Sequence, residues 1–425
     1  MMNVPNTGRF FCFFLWPGLC AMAQPAQTEI NTSTIHTLHV SLAGQPSAAP
    51  VIELHGDKQV EIHFDALDQN AYRFAYSIEH CDADWNPSPL IPVEYLNGFT
   101  GLTINDFANS IATTTSYTNY RLLLPNDEVQ PKLSGNYAVR IYRENEPNKV
   151  LLTACFSVAE PLVGISAEIT GNTLTDFNQA HQQVNIGIDY KNLPLVQPQT
   201  DLKIFVYQNR RRDNAVTHLR PTTILAHRLM YDQNRALIFE AGNEYRRIEF
   251  LSHTYNGMGV DNIRFYNPFY HVTLLADQPR SHRTYQYDED QNGRYLIRCS
   301  RCNDPDTEAD YAIVHFSLRS DPLPGGSVHL LSAIYNNVLD ERSQLYYNAD
   351  AGAYQKDILL KQGNYNYQYL FVPDNKSRGE TAPLEGDYYQ TENEYSIYVY
   401  YRPFGSRYDR LVGMETFSAN HFPPS

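Results

Sequence analysis

Short runs in which apolar and polar residues alternate recur along the whole chain, and few other folding patterns compete with them. Successive side chains of a strand point to opposite faces, so such a run can bury one face and wet the other. Val60-Glu61-Ile62-His63-Phe64 reads this way, as do Tyr72-Arg73-Phe74-Ala75-Tyr76 and Tyr137-Ala138-Val139-Arg140-Ile141-Tyr142. The pattern continues in Val184 to Ile188, Leu202 to Tyr207 and Ile313 to Phe316, and is cleanest in Asn364-Tyr365-Asn366-Tyr367-Gln368-Tyr369. Asn, Asp, Gly and Pro clusters such as Leu124-Pro125-Asn126-Asp127 and Val372-Pro373-Asp374-Asn375 punctuate the runs. No long helical periodicity and no internal repeat is found. The chain is expected to be all-β, built as tandem immunoglobulin-like β-sandwich domains.

A chain of 425 residues is too long for one core, and 42% hydrophobic content is enough to build several. Proline at Ala159-Glu160-Pro161 and the polar turn Cys302-Asn303-Asp304-Pro305-Asp306 mark soft boundaries. They predict an N-terminal sandwich over 24–160, a middle one over 161–306 and a C-terminal one over 307–425 with a Tyr-rich tail. Residues 1–23 read as a cleaved signal peptide: Arg9, the apolar stretch Phe10 to Leu19, then Ala21-Met22-Ala23 before the cut. Pro17 and Gly18 interrupt that stretch well short of the ~20 apolar residues that span a bilayer. Long polar, Pro-rich stretches and the lack of a terminal aromatic strand speak against a transmembrane barrel. An exported protein without direct membrane insertion is expected. The formal charge of −14 argues against nucleic-acid partners, whose phosphates demand basic patches, and against anionic membrane surfaces.

Catalytic signatures are missing. Asp288-Glu289-Asp290-Gln291-Asn292-Gly293 opens like an EF-hand loop, but its twelfth position is Cys299, where a bidentate glutamate is required. A turn joining two strands is the better account. Gly257-Met258-Gly259 lacks the third glycine of a dinucleotide loop, since Asn262 stands there. Alternation along a strand would splay Glu79, His80 and Cys81 onto opposite faces, so they imply no shared site. Outside the signal lie Cys81, Cys155, Cys299 and Cys302, which could pair in three ways. Cys299-Ser300-Arg301-Cys302 has the spacing of half a zinc site, yet a closed site needs four ligands. A local disulfide between Cys299 and Cys302, or two free thiols, is expected there instead. No metal, cofactor or catalytic residue is predicted. The 32 tyrosines against 2 tryptophans suit half-buried strand faces and protein interfaces alike.

Ser327 to Asn337, Tyr354 to Leu360 and Lys361 to Tyr369 follow the order of glycogen- and starch-binding sandwich modules, which the C-terminal domain resembles. Those modules stack sugars on exposed tryptophan, whereas Val338 stands here where one is expected. A carbohydrate-binding multi-sandwich protein of the cell envelope is the alternative reading.

Many stretches in one order look like a single family, the periplasmic plug protein of the type IX secretion system. They begin with His80-Cys81-Asp82-Ala83-Asp84-Trp85 and Glu94-Tyr95-Leu96-Asn97-Gly98-Phe99, then Ser134-Gly135-Asn136-Tyr137 and Glu160-Pro161-Leu162-Val163-Gly164. Tyr120-Arg121-Leu122 with Leu124-Pro125-Asn126, Gln208-Asn209 with Asp213-Asn214-Ala215, Asp304 to Tyr311, Leu360 to Tyr369, Glu385-Gly386 through Thr391-Glu392-Asn393, and Tyr400-Tyr401-Arg402-Pro403-Phe404 through Arg410-Leu411-Val412-Gly413 complete the set. The resemblance implies a non-enzymatic periplasmic protein at the inner face of the outer membrane. Such a protein would bind and seal the periplasmic opening of a large outer-membrane translocon barrel when no substrate is in transit, and would be monomeric apart from that partner. The family carries no catalytic residues over. The density of Tyr and Arg, types enriched in binding hot spots, points to Tyr398, Tyr400, Tyr401, Arg402, Phe404, Arg407, Tyr408 and Arg410 as a partner-binding segment.

Overall fold

In the computed structural model, which describes residues 24–67 and 72–419, the alternating runs are strands and no helix exceeds four residues. The expected signal peptide lies outside the described residues. Val60–Ala66, Gly135–Arg143, His181–Asp189, Leu202–Gln208, Tyr311–Arg319 and Gly363–Pro373 each contain a predicted run. Tyr72 and Arg73 are the exception, since that strand starts at Phe74.

Three large hydrophobic cores result. The first lies between a four-stranded sheet containing Ile35–Leu42, Val60–Ala66 and Thr118–Leu124, and the strands Phe74–Cys81, Gly135–Arg143 and Val150–Ala159. Phe64 stacks on Tyr120 at 5.2 Å, and Phe74 meets Tyr120 edge-on at 4.8 Å. The second gathers Val184, Ile186 and Leu229 against Ile204, Ile397 and Val399. The third lies inside a nine-stranded sheet that curls on itself, so that Phe316 and Tyr367, on strands far apart in the sheet order, touch edge-on at 5.2 Å.

Pairing crosses the boundaries expected from sequence. Arg246–Phe250 and Tyr295–Ile297 pair with Gly363–Pro373, and Phe269–Leu274 runs parallel to Tyr311–Arg319, so the third core recruits strands from before residue 306. The last two strands, Glu394–Tyr401 and Arg410–Ser418, belong to the second core instead. Soft turns mark where a strand ends but carry no information about which sheet receives the next strand.

Buried tyrosines account for much of that residue's abundance. Tyr76, Tyr120, Tyr137, Tyr231, Tyr311, Tyr365, Tyr369 and Tyr395 are all fully buried. Several buried tyrosines carry the hydroxyl across a seam: Tyr295 donates to the Leu38 carbonyl (3.1 Å), Tyr117 to the Ala309 carbonyl (2.7 Å) and Tyr311 to Asp65 (2.7 Å).

Candidate functional site

The Tyr- and Arg-rich segment is a hairpin. Glu394–Tyr401 pairs with Arg410–Ser418 on one side and with Leu202–Gln208 on the other. Alternation then divides its tyrosines. Tyr395 faces the second core with Ile397 and Val399, and Tyr401 packs at the edge of that core. Tyr398 and Tyr400 point the other way. Tyr400 meets Phe205 edge-on at 5.4 Å and donates its hydroxyl to Asn136 Oδ1 at 2.9 Å. Tyr398 meets Tyr207 edge-on at 5.6 Å. Of these predicted contact tyrosines, Tyr398 and Tyr400 fill a seam and Tyr401 covers a core edge.

Residues 402–409 form the hairpin's tip, and buried Asp409 anchors it. Arg402 donates to both Asp409 oxygens at 2.8 Å, while the Ala83 amide (3.0 Å) and Lys203 Nζ (3.1 Å) donate to Oδ2. Burial alone would raise the Asp409 pKa, but Arg402, the Ala83 amide and Lys203 together hold it below the usual carboxylate range. One carboxylate thereby ties the tip to the loop after Phe74–Cys81 and to the strand Leu202–Gln208.

Arg410 grips Glu160 (2.5 and 3.2 Å), whose Oε1 also accepts from Ser134 Oγ at 2.5 Å. Arg407 pairs with Glu94 and donates to the Pro89 carbonyl at 3.3 Å. Tyr408 meets His80 edge-on at 5.6 Å. Gly135 lies between His80 and the Asp409 backbone with φ +134°, and a Cβ there would come within 2.6 Å of His80 Nε2 and 3.0 Å of the Asp409 carbonyl oxygen.

Of the eight predicted residues, seven are therefore engaged within the chain. Phe404 is fully exposed at the tip, and Ile91 and Val93 are also exposed on the segment that Arg407 grips. The tip plus residues 89–94 thus presents apolar side chains framed by satisfied ion pairs. Sequence reasoning named the three arginines but missed Asp409, Glu94 and Glu160. Each lies inside a stretch that carries the family resemblance, and pairing every arginine of that set with its acids is the signal that could have found them.

The other candidate chemistries separate in space. His80 faces the first core near Tyr95 and Tyr137, while Cys81 lies in a small cluster with Ala138 and Cys155 on the opposite face. Glu79 is taken up by Arg140 at 2.7 Å. Asp290 accepts from the Asn292 amide (2.6 Å) and the Tyr245 amide, within an irregular stretch longer than the simple turn expected. Burial raises its pKa to about 6. The Cys299 and Cys302 sulfurs are at bonding distance, and Cys81 and Cys155 are free and buried. Among the described residues no cluster of three or more His, Cys, Asp or Glu is arranged to hold a metal ion.

Comparison with known proteins bears on what such a surface serves. The family model described as "Type 9 secretion system plug protein 1st domain" matches residues 35–160. The crystal structure of a hypothetical protein from Parabacteroides merdae ATCC 43184 is 61% identical, with a TM-score of 0.91 over 92% of this chain and 98% of that one. A Pseudomonas fluorescens alkylpurine DNA glycosylase, AlkC, bound to DNA with an abasic site analog, gives 12% identity over 29% of this chain and 30% of that one. Its TM-score of 0.17 carries no argument. No curated protein matches.

Proposed function

Because the chain belongs to the type IX secretion system plug protein family, we propose that it binds and seals the periplasmic opening of that system's outer-membrane translocon barrel when no substrate is in transit. The family match over residues 35–160 carries this reading. On this reading the protein works in the periplasm, at the inner face of the outer membrane, after removal of residues 1–23, and its role is non-enzymatic.

Physical features support it. A wide pore breaches the permeability barrier unless a stiff body covers it. Three cores joined by seam-crossing hydrogen bonds and ion pairs supply such a body, read here as immunoglobulin-like sandwiches with the second completed by the C-terminal hairpin. No helix among the described residues is long and apolar enough to cross a membrane. Release on substrate arrival favours a modest, partly polar contact over a permanently hydrophobic one. The tip of the hairpin, with Phe404 between arginines already held by Asp409 and Glu94, has that character.

The test is co-purification. Tagged protein drawn from native outer membranes in mild detergent is expected to bring down one very large barrel protein in near-stoichiometric amount, identified by mass spectrometry. Recovery of periplasmic background alone contradicts the proposal.

A further inference from the structure

Where the three cores meet, the structure leaves a cavity of about 450 Å³, within the ~300–1,000 Å³ typical of small-molecule sites. Phe156 lines it from the first core and Tyr295 from the third, while Trp85 comes from the small cluster around Cys81 and Cys155, and Tyr207 and Tyr398 from the seam cluster around Phe205 and Tyr400.

Its charge is unusual for so acidic a chain. Arg294 is paired with Glu394 (2.6 Å), and Asp213 with Arg211 (2.6 Å). Arg210 and Arg212 also line the cavity, and neither has a carboxylate partner among the described residues. Arg210 donates to the Ser47 carbonyl (2.5 Å), and Arg212 donates to the Ala26 carbonyl (2.7 Å) with its guanidinium 4.8 Å over the Trp85 ring. Burial, then the neighbouring Arg294, lowers the Arg210 pKa against the opposing charge of Glu394. Two lining residues carry buried polar atoms without a hydrogen-bond partner, the donor Arg294 Nε and the acceptor Asn337 Oδ1.

The backbone is strained at the same place. Trp85 (φ 66°), Arg210 (59°), Asn336 (53°) and Asn337 (58°) all line the cavity in the left-handed region, and Asn209 (49°) adjoins it. A bulky residue there is a genuine outlier, and such strain persists where surrounding structure imposes it, commonly at ligand clamps.

We propose that this cavity binds an organic carboxylate attached to a six-membered ring, the ring lying among Trp85, Tyr207 and Tyr398 and the carboxylate reaching Arg210 and Arg212. Aromatic walls suit the face of an aromatic or sugar ring, and guanidinium forks suit a carboxylate. The acid's source, an aromatic acid or a sugar acid, is left to the experiment. The inference stands apart from barrel sealing, since the cavity lies at the seams and not at the hairpin tip.

Calorimetric titration of the full chain with 4-hydroxyphenylacetate and with glucuronate, each beside its neutral amide, tests it. Saturable binding of at least one acid is expected, about tenfold or more tighter than its amide, as a charge-assisted hydrogen bond implies. Whichever acid binds identifies the source. Arg210→Met should weaken that binding about tenfold or more. Arg212→Met provides a second variant, and a melting temperature within a few degrees of the native chain's shows for each variant that the fold is kept. Failure of both acids to saturate, equal binding of acid and amide, or binding unchanged in both variants overturns the proposal.

Discussion

Lys361 Nζ and Asp65 Oδ2 stand 2.7 Å apart with almost no exposure of either side chain, joining the third core to the first. Tyr311 and Asn119 donate to the same carboxylate (2.7 and 2.8 Å), and Lys361 lies 4.1 Å over the Tyr117 ring. Removing one member of such a pair strands a buried charge, whereas replacing both with apolar residues is often tolerated. Asp65→Asn is predicted to cost ~3–5 kcal/mol in denaturant unfolding, with most of it recovered in Asp65→Leu/Lys361→Met. A loss below ~1 kcal/mol in the single variant contradicts the pairing. His80 gives a pH prediction. Its Nε2 faces the Ser134 carbonyl at 3.2 Å and must carry the hydrogen, so Nδ1 accepts from Ser88 Oγ at 3.0 Å in the neutral ring. Burial first, against the Ser134 hydrogen bond and the charges of Asp409 and Asp82, lowers its pKa from 6.5 to about 4. Between those values the unfolded chain binds a proton that the folded chain refuses, so this contribution to stability is lost as pH falls. The stability advantage of the native chain over His80→Gln should shrink by ~2 kcal/mol between pH 7 and 5. A constant gap across that range would show that His80 is not held neutral.

Strands were legible element by element, because alternation is a local property and the punctuating residues act locally. Gly363–Pro373 and His181–Asp189 sit where their sequence runs placed them. Pairing was not legible. Nothing in Glu394–Tyr401 announces that it adds to Leu202–Gln208, nearly two hundred positions earlier. Its two faces are both apolar enough to be buried, and that is the trace of its position between the second core and the seam. The same ambiguity explains why the Tyr-rich segment suggested an interface. A tyrosine in a seam and a tyrosine on an open surface have identical sequence signatures, and only placement separates Tyr400, bonded to Asn136, from exposed Phe404. The hairpin's structural role predicts an asymmetry. Ile397→Ala, in the second core, should cost ~2–5 kcal/mol in chemical unfolding. Glu415→Ala, exposed on the partner strand, should stay within ~0.5 kcal/mol. Similar effects from both changes would remove the hairpin from the core.

On the scale of the whole molecule, three cores, seams bridged by tyrosine hydroxyls and paired charges, and a tip framed by ion pairs describe a body suited to covering an opening. The family resemblance was legible from stretches in order along the chain, and a family model matches it over residues 35–160, but what each stretch does emerged only from contacts: Asp409, Glu94 and Glu160 restrain the tip, and Gly135 lets it approach His80. Phe404→Asp should leave the melting temperature unchanged, since that ring packs on nothing, while reducing recovery of the barrel about tenfold or more, as loss of a hot-spot anchor of ~2 kcal/mol implies. Unaltered recovery would move the contact elsewhere on the surface. The sealing claim itself is tested most directly by conductance across a planar bilayer holding the purified translocon barrel. Addition of this chain to the periplasmic side should close the open-pore current, and removing the chain should restore it. A barrel that binds the chain yet conducts as before would contradict the account.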